Sequence, residues 1–245
     1  MPRSILAALF SCALLMPGLA SAEDSLPVDQ VEKIVKDYLL REPEIIYQAI
    51  QELQKRQQAE EAARQQATIA EEGDAIFRHA QDPVAGNAAG NVTLVEFFDY
   101  HCGYCRSMMP GLRQFVQSDP QLRFVFKELP VLGPESVMAA KAALAAAKLD
   151  GAKYYDFHLA LMQSKELTRE AILATAVANG YDQDRLAAEM EQDWVKARLD
   201  ENHALAEKLG INGTPSFVVG KTLIPGAVDL GRLAQLVQDQ RTAAN

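Results

Sequence analysis

The sequence predicts an α/β domain that carries an inserted helical domain and is preceded by an N-terminal helical segment. Strand, helix and strand patterns follow one another within residues 92–129, which is typical of an α/β unit. A helical pattern then fills residues 134–209 before strand-forming residues return at Ser216–Val219. Ahead of these, residues 27–81 show helical spacing of apolar residues but too few of them for a core. A chain of 245 residues is long enough for one such domain with an appendage.

The first 22 residues have the layout of a secretory signal peptide. Arg3 supplies a positive start, residues 5–16 are apolar, and the small residues 20–22 precede the acidic Glu23. The apolar run is far shorter than the roughly 20 residues that cross a bilayer, which argues against a membrane anchor. We therefore expect cleavage after Ala22 and an exported mature chain.

Cysteine count and charge narrow the class of protein. Cleavage would remove Cys12 and leave Cys102 and Cys105, spaced C-x-x-C, as the only cysteines in an oxidising compartment. The formal net charge is −9 at pH 7 and the sequence has no basic run, so nothing favours nucleic acid or anionic lipid as a partner. We expect no cofactor and no nucleic-acid binding.

Residues 23–81 are predicted to form a helical stalk that joins copies of the chain into an oligomer. Pro43 should break or restart the helix, and residues 54–72 are mostly Gln, Glu, Ala, Arg and Lys, which favour helix but bury little surface. The apolar stripe before them could dock on the chain's own catalytic domain, but its continuity favours self-association into a dimer or trimer. The stripe comprises Val31, Ile34, Val35, Tyr38, Leu39, Ile46, Ala49, Ile50 and Leu53.

Residues 82–245 are predicted to form the catalytic domain. Residues 82–91 are turn-rich, and a buried strand at residues 92–98 runs directly into the cysteine pair. A helix and a second strand, at residues 122–129, come next. The helices of residues 134–209 are inserted before the last two strands, and a final helix closes the domain.

The dithiol of Cys102 and Cys105 indicates redox chemistry. Directly after a buried strand, Cys102 would lie at a helix N-terminus, where unpaired backbone N–H groups and the helix dipole favour an anion. Cys102 is therefore the candidate nucleophile, and Cys105 is the resolving thiol that closes a Cys102–Cys105 disulfide. A zinc site would need a second pair of ligands, and a merely structural disulfide would close a very short loop. Copper(I) held by both sulfurs, with His101, stays an alternative, and we expect no other metal.

Glu96 and the Thr214–Pro215 pair are further candidate site residues. Glu96 lies in an apolar strand six residues before Cys102, so burial would raise the pKa of its carboxyl group and suit it to exchange a proton with Cys105. A glutamate exposed at a sheet edge is the alternative. A cis Thr214–Pro215 bond would turn the backbone of Thr214 toward the dithiol, ready to pair with an extended peptide. A trans bond would make Pro215 an ordinary first residue of a strand.

Three separated motifs resemble the DsbA family of thioredoxin-fold oxidoreductases. They are VEFFDYHCGYC at residues 95–105, KELPVLGPES at 127–136 and GTPSF at 213–217, and they follow the family's order. The resemblance covers the chain from about Asn91 to the C-terminus. It implies a thioredoxin-like fold with an inserted helical domain, a catalytic Cys102, a resolving Cys105, a buried Glu96 and a cis-Pro215 loop.

The N-terminal segment resembles one branch of that family. Residues 38–46, YLLREPEII, are similar to the segment that serves oligomerisation in ScsC-like and Com1-like proteins, whose oligomeric members are disulfide isomerases or reductases. Gly103 and Tyr104 between the cysteines, and Thr214 before the proline, are closer to a disulfide isomerase than to a primary oxidase.

The resemblance therefore implies a homo-oligomeric, periplasmic disulfide isomerase or reductase. Its substrates would be unfolded or misoxidised exported proteins, and a membrane reductase would supply its electrons. A DsbA-like oxidase that is recharged by a membrane partner is the alternative, and a copper(I)-binding tolerance protein is a less favoured one. The residues expected to contact the substrate are His101, Gly103, Tyr104, Thr214 and Pro215.

Overall fold

The computed structural model describes residues 27–243. The predicted signal peptide of residues 1–22 lies outside the described residues. The chain divides into two compact units, and the boundary falls between Arg56 and Gln57. No described helix combines the length and the apolar composition that are needed to span a bilayer.

The first unit consists of helix α1 (Val28–Arg41) and the beginning of helix α2 (Glu44–Glu71). Pro43 separates the two helices as predicted, because a proline disfavours helical backbone at the residue before it. No residue of α1 is buried in the described chain. Most of the predicted apolar stripe is exposed, namely Val31, Ile34, Val35, Tyr38, Ile46, Ile50 and Leu53.

The second unit contains a five-stranded sheet in the order β1-β3-β2-β4-β5. The two central strands β2 and β3 pair in parallel, and the other pairs are antiparallel. Helices cover both faces of these central strands, which explains why their sequences are nearly continuous apolar runs. The strands are β1 (Val84–Gly86), β2 (Val92–Phe98), β3 (Leu122–Glu128), β4 (Ser216–Val219) and β5 (Thr222–Pro225).

Helices complete the second unit and confirm the predicted α/β class with an inserted helical domain. The end of α2 and a short helix precede the sheet, one helix joins β2 to β3, five helices form the insertion between β3 and β4, and one helix follows β5. In chain order the helices after α2 are α3 (Gly73–Phe77), α4 (Gly103–Ser118), α5 (Pro134–Leu149), α6 (Gly151–Gln163), α7 (Arg169–Ala178), α8 (Gln183–Glu189), α9 (Asp193–Leu209) and α10 (Leu230–Ala243).

Two apolar cores lie on the two faces of the sheet, because successive residues of β2 and β3 point to opposite sides. Phe98 and Phe126 belong to the larger core, which includes residues of α4, α5 and α6. Val95 and Val125 belong to the smaller core, which includes residues at the end of α9.

The segment before β2 differs from the expectation drawn from the sequence. Ile69 and Ile76, which we assigned to a stalk that cannot make a core, are buried in the smaller core. Residues 82–91, expected to be turn-rich, contain the edge strand β1, in which Val84 pairs with Val125 of β3. Both differences arise because a few isolated apolar residues find partners far along the chain, which helix and strand periodicity does not reveal.

Candidate active site

The cysteine pair lies at the N-terminus of α4, immediately after the buried strand β2. Cys102 is the N-cap residue of α4, with extended backbone angles, and its Sγ accepts a hydrogen bond from the backbone N–H of Cys105 at 3.4 Å. The sulfur therefore occupies the place where side-chain acceptors satisfy the free N–H groups of a helix. Both cysteines are free thiols in this structure, so the Cys102–Cys105 disulfide stays a prediction for the oxidised protein.

The two thiols differ in their accessibility. Cys102 is 5% exposed, whereas Cys105 is fully buried. Burial is the main cause that raises the pKa of the Cys105 thiol, and the negative charge of Glu96 is the second. Cys105 therefore keeps its proton at neutral pH unless a neighbouring group removes it, while the sulfur of Cys102 is the one that a substrate can reach.

The Thr214–Pro215 peptide bond is cis, which is the geometry that the resemblance implies. The loop precedes β4, and β4 pairs with β2, so the sheet brings the loop next to the start of α4. The Cys102 thiol donates a hydrogen bond to the carbonyl oxygen of Thr214 at 3.2 Å. Thr214 is half-buried and Pro215 is buried. The backbone at Thr214 thus directly adjoins the accessible thiol.

Glu96 is fully buried in β2, which removes the alternative of an edge-exposed glutamate. Neither of its carboxyl oxygens has a hydrogen-bond partner among the described residues. Burial first, and the negative charge of Cys102 second, raise the pKa of Glu96 from 4.5 to about 8. Most Glu96 side chains are therefore protonated at neutral pH, and each holds a proton that can be exchanged.

Glu96→Gln should make the stability of the reduced protein less dependent on pH. Because the folded pKa of about 8 lies above the unfolded value of 4.5, the neutral form stabilises the fold, and this contribution is lost as pH rises through 8. We expect the free energy of unfolding of the variant, relative to the native protein, to increase from pH 5 to pH 8.5. Urea unfolding at both pH values measures it, with the exposed Glu60→Gln on α2 as control. A constant difference would contradict the shifted pKa.

The other predicted substrate-contacting residues surround Cys102 at the surface. His101, Gly103 and Tyr104 are all exposed, and the side chain of Tyr104 is 69% exposed. His101 Nδ1 lies 3.6 Å from a carboxylate oxygen of Glu135. Tyr104 and Thr214 line one groove of about 590 Å³, which residues before the start of β4 and at the end of β5 complete. The structure thus places Tyr104 and Thr214 at one groove beside the dithiol, and His101 and Gly103 at exposed positions next to Cys102 in the chain.

Several buried polar residues near the site escaped the sequence prediction. Glu128 at the end of β3 has its pKa raised to about 8, chiefly by burial, and it accepts a hydrogen bond from Tyr154 at 3.4 Å. His158 has its pKa lowered to about 3 by burial, and its Nδ1 lies 2.9 Å from the hydroxyl of Tyr100. A polar residue in an otherwise apolar run is the only sequence signal for them, and it is the signal that identified Glu96.

Asp99 was also missed, although it follows β2 directly. Its buried carboxylate accepts hydrogen bonds from the turn that carries Cys102 and from the segment after β3. The sequence signal would have been a charged residue between a buried strand and the dithiol.

The described residues contain no group of three or more His, Cys, Asp or Glu side chains that could hold a metal ion. Met108 and Met109, which follow the cysteine pair, are soft ligands by type. Both are buried in the larger core and pack there as apolar side chains. The arrangement around Cys102 is that of a dithiol beside the backbone of the Thr214–Pro215 loop.

Two protein families match the chain. Residues 93–238 match the family described as DSBA-like thioredoxin domain. Residues 28–60 match the family described as copper resistance protein ScsC N-terminal domain. The two matches fall on the α/β domain and on the N-terminal helices, respectively.

Solved structures agree with the first match, and so does the curated disulfide bond formation protein D of Bacillus subtilis, which is 22% identical over 64% of this chain and 76% of that one. The chain is similar to a thioredoxin-like oxidoreductase from Silicibacter pomeroyi DSS-3, with 44% identity and a TM-score of 0.66 over 69% of this chain and 97% of that one. It is also similar to a linker-deletion variant of Proteus mirabilis ScsC, with 30% identity and a TM-score of 0.68 over 91% of this chain and 99% of that one. A curated Na(+)/H(+) antiporter NhaA 3 of Salinispora tropica is 29% identical over 67% of this chain. The chain spans about a quarter of the length of that antiporter and of similar ones.

Proposed function

The chain belongs to the family of DSBA-like thioredoxin domain proteins, and on that premise we propose that it catalyses thiol–disulfide exchange as a disulfide isomerase or reductase. The position of Cys102 Sγ carries the proposal, since this sulfur caps α4 and contacts the backbone of Thr214. A sulfur at a helix N-terminus is favoured as an anion, and only the thiolate is a nucleophile. The neighbouring backbone gives a substrate peptide a place to pair.

In the first step the Cys102 thiolate attacks one sulfur of a substrate disulfide. A disulfide forms between Cys102 and the substrate, the substrate S–S bond breaks, and the second substrate sulfur leaves as a thiolate. That thiolate can attack another disulfide of the same substrate, and a later substrate thiolate then displaces Cys102. The substrate's disulfides are rearranged without net oxidation or reduction, and Cys102 is a thiolate again.

Cys105 supplies the other exit from the mixed disulfide. It gives up its proton, attacks Cys102 Sγ and releases the substrate as a thiolate, which reduces the substrate and oxidises the protein to the Cys102–Cys105 disulfide. Because burial raises the pKa of Cys105, this step needs a base. Glu96 is that base in our proposal, through the minor fraction of its carboxyl groups that is ionised at neutral pH with a pKa of about 8, and its charge acts on the Cys105 thiol.

The substrate would be an extended segment of an unfolded or misoxidised exported protein. We assign its contacts to His101, Gly103, Tyr104 and the Thr214–Pro215 loop, which surround the one accessible sulfur. In this proposal the signal peptide expected at residues 1–22 exports the chain, and the reaction takes place in the periplasm. There a membrane reductase would return two electrons to the Cys102–Cys105 disulfide after each reductive exit.

A DsbA-like oxidase would use the same residues in the opposite direction. In that case the Cys102–Cys105 disulfide accepts electrons from a substrate dithiol, and a membrane partner takes them away. We favour the isomerase or reductase because Gly103, Tyr104 and Thr214 resemble isomerase residues, and because the N-terminal helices match the ScsC N-terminal domain.

We propose that α1 and the start of α2 join copies of this chain into a homo-oligomer. Ile34 is 58% exposed and Leu53 is 55% exposed, and they belong to a stripe of similar residues. Monomeric soluble proteins rarely leave contiguous apolar patches of this kind in water. The same stripe on a second or third copy would bury it, and an oligomer would hold two or more dithiols against one substrate.

Ile34→Ser combined with Tyr38→Ser should give monomers that refold a scrambled-disulfide protein roughly fivefold more slowly or worse, because a lone subunit loses its second contact with the substrate. Light scattering measures subunit number, and recovery of the test protein's activity measures isomerisation. Reduction of glutathione disulfide should stay unchanged, since it needs only the dithiol. Lys33→Ser with Asp37→Ser, on the charged side of α1, is the control that keeps net charge constant.

Two other results of these measurements would contradict the proposal. Full isomerase activity in a monomeric variant would reduce the helices to a tether. Rapid oxidation of reduced peptides by the native protein, without recovery of the scrambled one, would favour the oxidase.

A copper(I)-binding tolerance protein is the second candidate, because residues 28–60 match a family whose description names a copper resistance protein. Copper(I) would be held by the sulfurs of Cys102 and Cys105, since soft ligands suit it. Stoichiometric copper binding that survives an excess of glutathione, and that Cys102→Ser abolishes, would support this candidate over exchange chemistry.

A further inference from the structure

The carboxylate of Asp99 joins three segments around the dithiol. Oδ1 accepts the backbone N–H of His101 at 2.7 Å and the hydroxyl of Ser136 at 2.7 Å. Oδ2 accepts the backbone N–H groups of Val131 at 2.8 Å and of Leu132 at 3.0 Å. Asp99 itself is 1% exposed. One buried side chain therefore fixes the turn before Cys102, the loop after β3 and the first turn of α5.

The loop that Asp99 holds presents apolar side chains to solvent. Val131 is 48% exposed and Leu132 is 53% exposed, although their backbone N–H groups are turned inward to Asp99. Two adjacent apolar residues in a loop gain nothing from water contact. Covering both side chains with another apolar surface would therefore be favourable.

The loop that carries Val131 shares a groove with the segment that precedes Thr214. Val131 and Gly213 line a groove of about 270 Å³. Gly213 precedes Thr214, whose carbonyl oxygen contacts Cys102. A polypeptide whose disulfide reaches Cys102 and whose backbone lies along Thr214 is thus continuous with this groove.

We propose that Asp99 is a positioning residue that sets the place of Val131 and Leu132 relative to Cys102, so that both side chains contact an apolar segment of the substrate polypeptide. This inference rests on the proposed function. The carboxylate of Asp99 makes none of its four hydrogen bonds to a sulfur. It acts through the loop, and the loop contributes to the binding of protein substrates but not of small disulfides, which are too short to reach it.

Asp99→Asn tests the inference, because the amide keeps one acceptor oxygen but turns N–H groups toward two of the four donors. The KM for a scrambled-disulfide protein should rise about fivefold or more with kcat little changed, which is the signature of lost binding. The rate with glutathione disulfide should stay within about twofold, the size of a minor local change. The exposed Asp156→Asn, on α6, is the matched control and should change neither rate.

Val131→Ser combined with Leu132→Ser tests the loop without disturbing the buried carboxylate. This surface variant should raise the KM for the protein substrate to a similar extent, and it stays informative even if Asp99→Asn fails to fold. Combining all three substitutions should cost no more than either set alone, because residues that act through one contact are not additive. Additive losses, or equal losses with both substrates, would overturn the inference. Absence of any turnover of the scrambled protein by the native chain would instead overturn the proposed function.

Discussion

Cys102→Ser should lower the rate of thiol–disulfide exchange by on the order of 10³-fold or more, because the attacking sulfur is replaced by a hydroxyl that is hardly ionised at neutral pH. Cys105→Ser should behave differently. Its Cys102 can still attack, but the resolving thiol is missing, so a disulfide between Cys102 and the substrate should accumulate. The asymmetry follows from accessibility, since Cys102 is 5% exposed and Cys105 is fully buried.

Non-reducing gels with mass spectrometry of the adduct measure this difference. The native protein and the two single variants are each mixed with a scrambled-disulfide protein and quenched with acid, and the Cys102→Ser/Cys105→Ser double variant is the control. A stable adduct on Cys105 of the Cys102→Ser protein, with none on Cys102 of the Cys105→Ser protein, would exchange the two proposed roles.

The parts of the fold that depend on local signals could be predicted from the sequence. Pro43 interrupts the N-terminal helices, and the alanine-rich residues of α5 continue as helix, because each outcome depends on neighbouring residues. Strand β1 could not be predicted in this way. Val84–Gly86 has three residues, and it is a strand only because Val84 pairs with Val125 in β3.

The candidate site also has residues that local sequence predicts and residues that it does not. Cys102, Cys105 and Glu96 lie in one strand–turn–helix unit, so their relation could be predicted from spacing. The four hydrogen bonds of Asp99 could not, because three of their donors lie after β3 and become neighbours only when the parallel pair of β2 and β3 forms. Tyr100 and His158 likewise meet only because α6 packs over the sheet.

A buried group of three charges holds the segment before β1 to the rest of the second unit. Asp82, with a side chain 1% exposed, accepts hydrogen bonds from Lys127 at 2.5 Å and from Arg198 at 2.5 Å. The side chains of these two cations are 0% and 2% exposed. Lys127 also donates to the backbone carbonyl of Ala75 in α3. Strand β3, helix α9 and the chain leading into β1 therefore meet at one carboxylate.

Asp82→Asn should destabilise the protein by about 3–5 kcal/mol, because Lys127 stays buried without its anion and Arg198 keeps only the exposed Glu201 as a partner. A loss of this size is a large part of the about 5–15 kcal/mol that typically separates folded from unfolded protein. Urea unfolding followed by circular dichroism measures it. Asp200→Asn is the matched control, since Asp200 and Lys196 are also 2.5 Å apart but their side chains are 65% and 74% exposed.

The control should cost only about 0–1 kcal/mol, because water screens an exposed pair and already solvates both charges. Replacing Asp82, Lys127 and Arg198 together by leucine or methionine should be less destabilising than Asp82→Asn alone, since no unpaired charge is then left in the interior. Equal losses for Asp82→Asn and Asp200→Asn would mean that burial does not determine the strength of this ion pair. The contrast between two pairs of the same length thus separates the cost of desolvation from the attraction of the charges.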